Sequence, residues 1–180
     1  LVEERFDTKW GSVELVRAEL ALLAAGLRDK ELDAAYFAFA SETCLPVARP
    51  ADVAALFDDE SSWIDAIYEP NNGYARQDQW EKVSRVLPRD KVAKADQWLL
   101  LTRLHARLVL RADREIKSQI RCKQGKDDGE PWRLFAKVRA ADELYFPSML
   151  MVCGELRRDD DSTRVRRRKL TYCDWNSGPK

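Results

Sequence analysis

Apolar side chains recur along residues 13–27 at helical spacing, with Val13, Val16, Leu20, Leu23 and Leu27 on one face and Leu15, Ala18 and Leu22 on another. Two apolar faces predict a helix that is largely buried. Ser12 stands where an N-cap belongs, Glu14 suits the first turn, and Gly26 lies near the stop. Residues 35–40 form a nearly continuous apolar run with two aromatics, the pattern of a strand covered on both faces. Its C-terminal end feeds into Ser41-Glu42-Thr43-Cys44, the position at which open α/β sheets hold ligands. Pro50 opens a short helix over 50–57. Residues 63–68 read as a strand, and 97–101 either as a second, buried one or as the lead-in to a helix capped by Thr102 and running toward Ile116. Gly125 and Gly129 among charges make 122–131 an exposed loop. A further helix starts near Asp142 or Glu143, with Pro147 accommodated near its first turn, and a charge run over 157–169 precedes a strand over 170–175. Helix and strand signals alternate throughout without internal repeats, which places the chain in the α/β class.

Composition narrows the picture. At 180 residues the chain can form one core or part of a larger domain, and Leu1 in place of an initiator Met together with a polar tail reads as a piece of something longer. Lys plus Arg and Asp plus Glu stand at 31 each, so the whole molecule has no electrostatic pull toward nucleic acid or acidic membranes. A hydrophobic content of 45% argues against disorder. The sequence contains no bilayer-length apolar run and no signal-peptide pattern, which leaves location open. Cys44, Cys122, Cys153 and Cys173 are widely spaced, there is no Cys-x-x-Cys, and His105 is the single histidine, so a zinc site is disfavoured. The cysteines read either as buried small hydrophobes or as lumenal disulfides, and their spacing does not decide between the two.

The stretch from Ser62 to His105 carries the chemistry. Two apolar pieces bracket carboxylate, amide, guanidinium and aromatic side chains gathered around the turn signal Asn71-Asn72-Gly73. Packing alone has no use for that mixture. Carbohydrate recognition does, because a sugar offers hydroxyls to planar bidentate groups and an apolar C–H face to a Trp or Tyr ring.

Read together, Ser41-Glu42-Thr43-Cys44-Leu45-Pro46, the 62–105 stretch, Asp142-Glu143-Leu144-Tyr145-Phe146-Pro147 and Thr171-Tyr172-Cys173-Asp174-Trp175 form an ordered set of blocks. Spanning about Lys9 to Trp175, the set resembles the core-2/I-branching β-1,6-N-acetylglucosaminyltransferase family, glycosyltransferase family 14, in its plant-type branch. The resemblance implies an α/β fold of the nucleotide-sugar transferase (GT-A-like) type, a mixed sheet flanked by helices and incomplete at both ends. Residues 1–180 would then be a single glycosyltransferase domain fragment, its central and acceptor-side portion. It implies inverting transfer of a sugar, N-acetylglucosamine from UDP-GlcNAc first among donors, to a glycan hydroxyl in the Golgi lumen, with membrane attachment only through a segment outside this chain. The alternative is a non-catalytic glycan-binding or scaffolding module derived from the same fold.

Inverting transfer needs a carboxylate that takes the acceptor proton as the hydroxyl oxygen attacks the anomeric carbon. The resemblance assigns this role to Glu143, with Asp142 beside it as a substrate-binding residue; read from the residues alone, the pair is first of all a helix cap. It also implies substrate contacts for Glu69, Arg76 and Lys82, which otherwise read as a solvated loop held by local salt bridges. Asp96, Gln97 and Trp98 belong to the block that matches best, with Trp98 equally suited to the core, and Trp175 resembles an aromatic that faces the acceptor or simply packs. Glu42 takes the nucleotide-side position after the first strand. No metal or other cofactor is implied: Asp159-Asp160-Asp161 meets an Asp-x-Asp pattern only inside the charge run, with no strand before it. In such a family basic side chains neutralise the leaving diphosphate. The arginines at 164, 166, 167 and 168 and Lys169 could attract phosphate, although with four acids nearby a solvated surface loop is the favoured account of them.

Overall fold

The computed structural model describes residues 2–31, 33–57, 60–71, 73–85, 87–124, 135–158 and 164–172. In chain order these form α1 (Val13–Arg28), β1 (Tyr36–Ala38), α2 (Pro50–Ala54), β2 (Ser62–Trp63), α3 (Gln77–Val83), β3 (Leu100–Thr102), α4 (Arg103–Gln124), α5 (Ala141–Val152) and β4 (Val165–Arg166), with a 3-10 turn at Arg89–Lys91. The fold is mixed α/β. A four-stranded sheet runs β1-β3-β2-β4, with β3 antiparallel to both neighbours and β2 parallel to β4. Helices α1, α4 and α5 pack on one another, and α4 also leans on β3 and β1. Between helices and sheet lies one continuous apolar cluster that includes Val16, Leu23, Phe39, Trp80, Leu101, Val109, Leu144 and Phe146.

Helix α1 buries one face rather than two: Val13, Val16 and Leu23 are buried, while Leu22 is 55% exposed. Ser12 holds the cap position but not the cap bond, because its Oγ accepts from the Lys9 N–H at 3.1 Å instead. Gly26 does not stop the helix, which runs on to Arg28. It admits the Phe37 ring from β1, since a Cβ there would lie 2.8 Å from Phe37 Cε1. Among the described residues the first strand is an edge, not a strand covered on both faces: β3 alone of these pairs with it, Phe39 just beyond it tilts onto Phe146 at 4.9 Å, Tyr36 meets Phe57 at 5.0 Å, and Ala38 is exposed.

Further expectations shift. The strand over 63–68 shrinks to Ser62–Trp63 plus a bridge from Ile67 to Lys94. Residues 122–124 belong to α4, with 125–134 outside the described residues. Pro147 lies in the interior of α5, well past its first turn. The fourth strand falls inside the charge run, where Val165 alone faces inward and the Ser62 and Ile64 N–H groups donate to Arg164 and Arg166 carbonyls at 2.9 Å each. One inward valine among arginines leaves almost no periodic signal. Residues 170–172 carry no strand, and 173–175, with Trp175, lie outside the described residues. Cys44 is exposed and Cys153 half-buried, both as free thiols, so Cys44 is neither a buried hydrophobe nor half of a disulfide. The Cys122 and Cys173 side chains fall outside the description.

Candidate active site

The site assembles at the N-terminus of α5. Ala140, just before the helix, adopts left-handed backbone at φ 53°, which a residue with a Cβ takes at about 1–2 kcal/mol. Its neighbours hold it there. The Ala140 N–H donates to the Gly11 carbonyl at 3.0 Å, and Gln79 Nε2 of α3 donates to the Arg139 carbonyl at 2.8 Å. Gly11 itself sits at φ 67°, with Ala140 N only 3.1 Å from where a Cβ would be. The Trp10-Gly11 segment and α3 thus fix the direction in which α5 starts, and Asp142 and Glu143 fall in its first turn, where the helix dipole favours anions.

Pro147 has no N–H, so it leaves the Glu143 carbonyl without its intrahelical partner. That carbonyl accepts from the Ala95 N–H at 2.8 Å. One residue on, Ser148 Oγ accepts from the Ala93 N–H and donates to the Ala93 carbonyl, both at 3.2 Å. Residues 93–95 are therefore laced to α5 along one side. Along the other, Lys94 and Ile67 exchange backbone bonds at 2.7 and 2.9 Å, and the Tyr74 hydroxyl donates to the Ala95 carbonyl at 2.8 Å. The Lys94 side chain is 1% exposed and ends in a hydrogen-bonded ion pair on Glu143 Oε2, with Nζ 4.0 Å from the centroid of the Tyr74 ring. Glu143 keeps 20% of its side chain in solvent, and Tyr74 is 42% exposed.

Around this centre the charges alternate. Asp96 pairs with Lys169 at 3.1 Å, and Lys169 reaches Asp65 at 3.8 Å. Burial, then the Glu143 and Asp96 carboxylates, push the Tyr74 phenol far above its ordinary range, so it stays a neutral donor. Asp142 is buried; burial first, then the neighbouring Glu143 charge, pushes it up to about 6. Close to Asp142 lies Glu19 of α1, pushed up to about 8 chiefly by burial; Asp142 adds to the rise and the bond from Gln97 Nε2 at 2.9 Å opposes it. Glu19 Oε2 and Asp142 Oδ1 have no hydrogen-bond partner among the described residues.

Of the residues expected from sequence, Asp142, Glu143 and Asp96 gather here. Trp98 is half-buried two residues along the same segment. Glu69 is exposed and held by Arg158, with Arg89 at 3.9 Å. Arg76 and Lys82 do not lie on a loop; Arg76 is the N-cap residue of α3 and Lys82 lies in its last turn, and both pair with Asp78, at 3.2 and 3.5 Å. Glu42 lies exposed on the segment after β1. Trp175 and Asp159–Asp161 fall outside the described residues. Arg167 and Arg168 stack over Tyr68 and Trp63 at 4.8 and 4.3 Å.

Sequence reading passed over Lys94, Tyr74 and Glu19. Two of them carried a signal. Glu19 occupies the Val16–Leu23 apolar stripe, and Lys94 is the one charge in Val92-Ala93-Lys94-Ala95, a position where a buried ammonium demands a partner. Elsewhere, Ser62 Oγ lies 2.6 Å from His105 Nδ1, and His105 Nε2 lies 3.3 Å from Glu155 Oε2. This Ser-His-Glu chain is no hydrolytic centre, because Ser62 and His105 are fully buried. Ser62 Oγ also accepts from the Thr102 N–H at 2.8 Å, so the chain ties β2, β3 and α4 to the segment after α5. Burial lowers the His105 pKa, with Glu155 opposing, and a neutral imidazole satisfies every bond in the chain. Among the described residues no three His, Cys, Asp or Glu side chains form a metal-holding group, and no helix is long and apolar enough to cross a membrane.

Comparison with known proteins adds three findings. A family model described as Branch: Core-2/I-Branching enzyme matches residues 2–180. The chain is 26% identical over 188 residues to glycosyltransferase BC10 of Oryza sativa subsp. japonica, an alignment that takes in 97% of this chain and 44% of that protein. The chain thus spans less than half the length of that relative. No solved structure matches.

Proposed function

The chain belongs to the Core-2/I-branching enzyme family, and from that premise we propose that it is the central and acceptor-side portion of a GT-A-like glycosyltransferase domain, with Glu143 as the catalytic base. The observation that carries this reading is a partly exposed carboxylate held at a helix N-terminus beside an exposed aromatic ring, inside the block where the family resemblance puts its base. In the proposed step the acceptor hydroxyl gives its proton to Glu143 as its oxygen attacks the anomeric carbon. The bond from that carbon to the diphosphate breaks on the opposite face, the configuration inverts, and UDP leaves. UDP-N-acetylglucosamine is the leading donor and a glycan hydroxyl the acceptor. Asp96 and Tyr74 border the acceptor side, and Glu69, Arg76, Lys82, Trp98 and Trp175 are carried as substrate contacts by the resemblance alone.

The transfer is proposed to need no metal, because the position after β1 offers Glu42-Thr43-Cys44 where a metal-dependent enzyme places Asp-x-Asp. Basic side chains would then neutralise the leaving diphosphate. The Golgi lumen follows as the proposed location, reached through an anchor outside this chain. The test is NMR of the product formed by the intact protein from UDP-N-acetylglucosamine, with and without EDTA. A β-linked product at undiminished rate in EDTA is expected. A retained configuration, a rate restored only by manganese, or glycan binding with no turnover would each overturn the corresponding part of the proposal.

A further inference from the structure

We propose that Lys94 is a positioning residue for the transfer reaction, holding one oxygen of the Glu143 carboxylate so that the other is presented to the acceptor hydroxyl. The inference rests on Glu143 being the base. An ammonium with 1% exposure is stable only when it is paired, and among the acids nearby Asp96 is already engaged by Lys169 while Glu143 Oε2 receives the Lys94 bond. The origin of the Lys94 side chain is fixed from both sides, by Ile67 across one backbone edge and by the Glu143 carbonyl and Ser148 Oγ across the other. Its tip is confined by the Tyr74 ring, itself fixed through the bond to the Ala95 carbonyl. A glutamate has three rotatable bonds and on a solvent-facing helix end would sample many orientations. Here the ammonium removes that freedom before substrate arrives, which is how a base gains effective concentration at the reacting proton.

Pro147 is part of the device. By freeing the Glu143 carbonyl for Ala95, it brings the backbone of the base and the backbone beside the lysine into register. The same residue therefore receives two bonds from one short segment, one on its carbonyl and one on its carboxylate.

A double-mutant cycle in the intact protein tests this, following UDP release from UDP-N-acetylglucosamine with p-nitrophenyl β-galactoside as acceptor. Lys94→Met keeps the length and burial of the side chain and removes the ammonium. It should lower kcat by about 10- to 100-fold while the donor KM stays within about twofold. Glu143→Gln should lower kcat by about 10²–10⁴-fold, and the double variant should be no slower than Glu143→Gln alone within about twofold, because a positioning residue has nothing left to position. Should Met prevent folding, Lys94→Gln, whose amide is too short to reach Glu143, replaces it in the same cycle. A Lys94 variant with wild-type kcat, or losses that multiply in the double variant, would overturn the positioning role while leaving Glu143 as base. A fully active Glu143→Gln protein would instead remove the base itself, and the inference with it.

Discussion

Glu19→Gln replaces a buried carboxyl with a group that is neutral at every pH, and its effect should depend strongly on pH. Glu19 lies on the α1 face packed toward α5, is almost fully buried, accepts one bond from Gln97, and has no partner for Oε2 among the described residues. Burial raises it from 4.5 to about 8 in the folded protein, with the Asp142 charge adding to the effect. In the unfolded chain it returns to the ordinary value. Between those two values the folded state binds more protons than the unfolded state, so its stability falls as pH rises through this window. At about 1.36 kcal/mol per pH unit the full displacement is worth roughly 5 kcal/mol, a ceiling that relaxation and water entry reduce. At pH 5 Glu19 is protonated in the fold but already largely ionised in the unfolded chain, and Gln should be more stable by no more than about 1 kcal/mol. At pH 9 the wild type must bury the charge or open around it, and Gln should be more stable by about 1–3 kcal/mol. Urea denaturation of both proteins at pH 5, 7 and 9 measures this. Parallel pH dependence of the two proteins across that range would refute the reasoning, because it would mean that Glu19 ionises in the fold as it does in the unfolded chain.

Acid should destabilise the protein through His105. Burial holds its folded pKa below the ordinary histidine value of 6.5, so the stability that neutral His105 provides is present above that ordinary value and is lost as pH falls below it. The loss should be absent from thermal melts of a His105→Asn variant. Ser62→Ala should cost about 1–3 kcal/mol at pH 7, because it strips the buried Thr102 N–H and His105 Nδ1 of their shared partner; a melting temperature equal to wild type would contradict the assigned chain. Pro147→Ala should fail to gain the roughly 3 kcal/mol that a helix-interior proline ordinarily withholds, since the new N–H competes with Ala95 for the Glu143 carbonyl. A stability gain of that size in denaturant titrations would show that the lacing of 93–95 onto α5 contributes little.

Helices were the legible part of the fold because they carry their period locally. Val13–Arg28, the helix that follows Thr102, and the start of α5 near Asp142 all follow from apolar spacing and caps, and the His105 N–H does donate to Thr102 Oγ at 3.2 Å. Strands of two or three residues do not fill a period-two window, so β2 is read too long and β4 has no sequence signature of its own. The order β1-β3-β2-β4 is set by long-range pairing, which no local pattern encodes. At the candidate site, Asp142 and Glu143 were legible as a first-turn pair, and Asp96 as a member of a mixed polar block. Their companion Lys94 shows in the sequence only as the one charge in a short apolar run, and its partner emerges only once the chain folds it beneath Tyr74. Pro147 misled for a related reason. A proline inside a helix is tolerable when tertiary structure supplies a donor for the freed carbonyl, and here Ala95, some fifty residues upstream, supplies it.

The claim that Glu143 takes the acceptor proton is tested most directly by turnover of Glu143→Gln, compared with wild type per folded molecule and well below the melting midpoint. The amide keeps an oxygen for Lys94 to donate to, so the protein should fold with a lowered melting temperature and bind the UDP-sugar with an affinity within about twofold of wild type, while kcat falls by about 10²–10⁴-fold. A Glu143→Gln protein that transfers sugar at the wild-type rate would contradict the account at its centre.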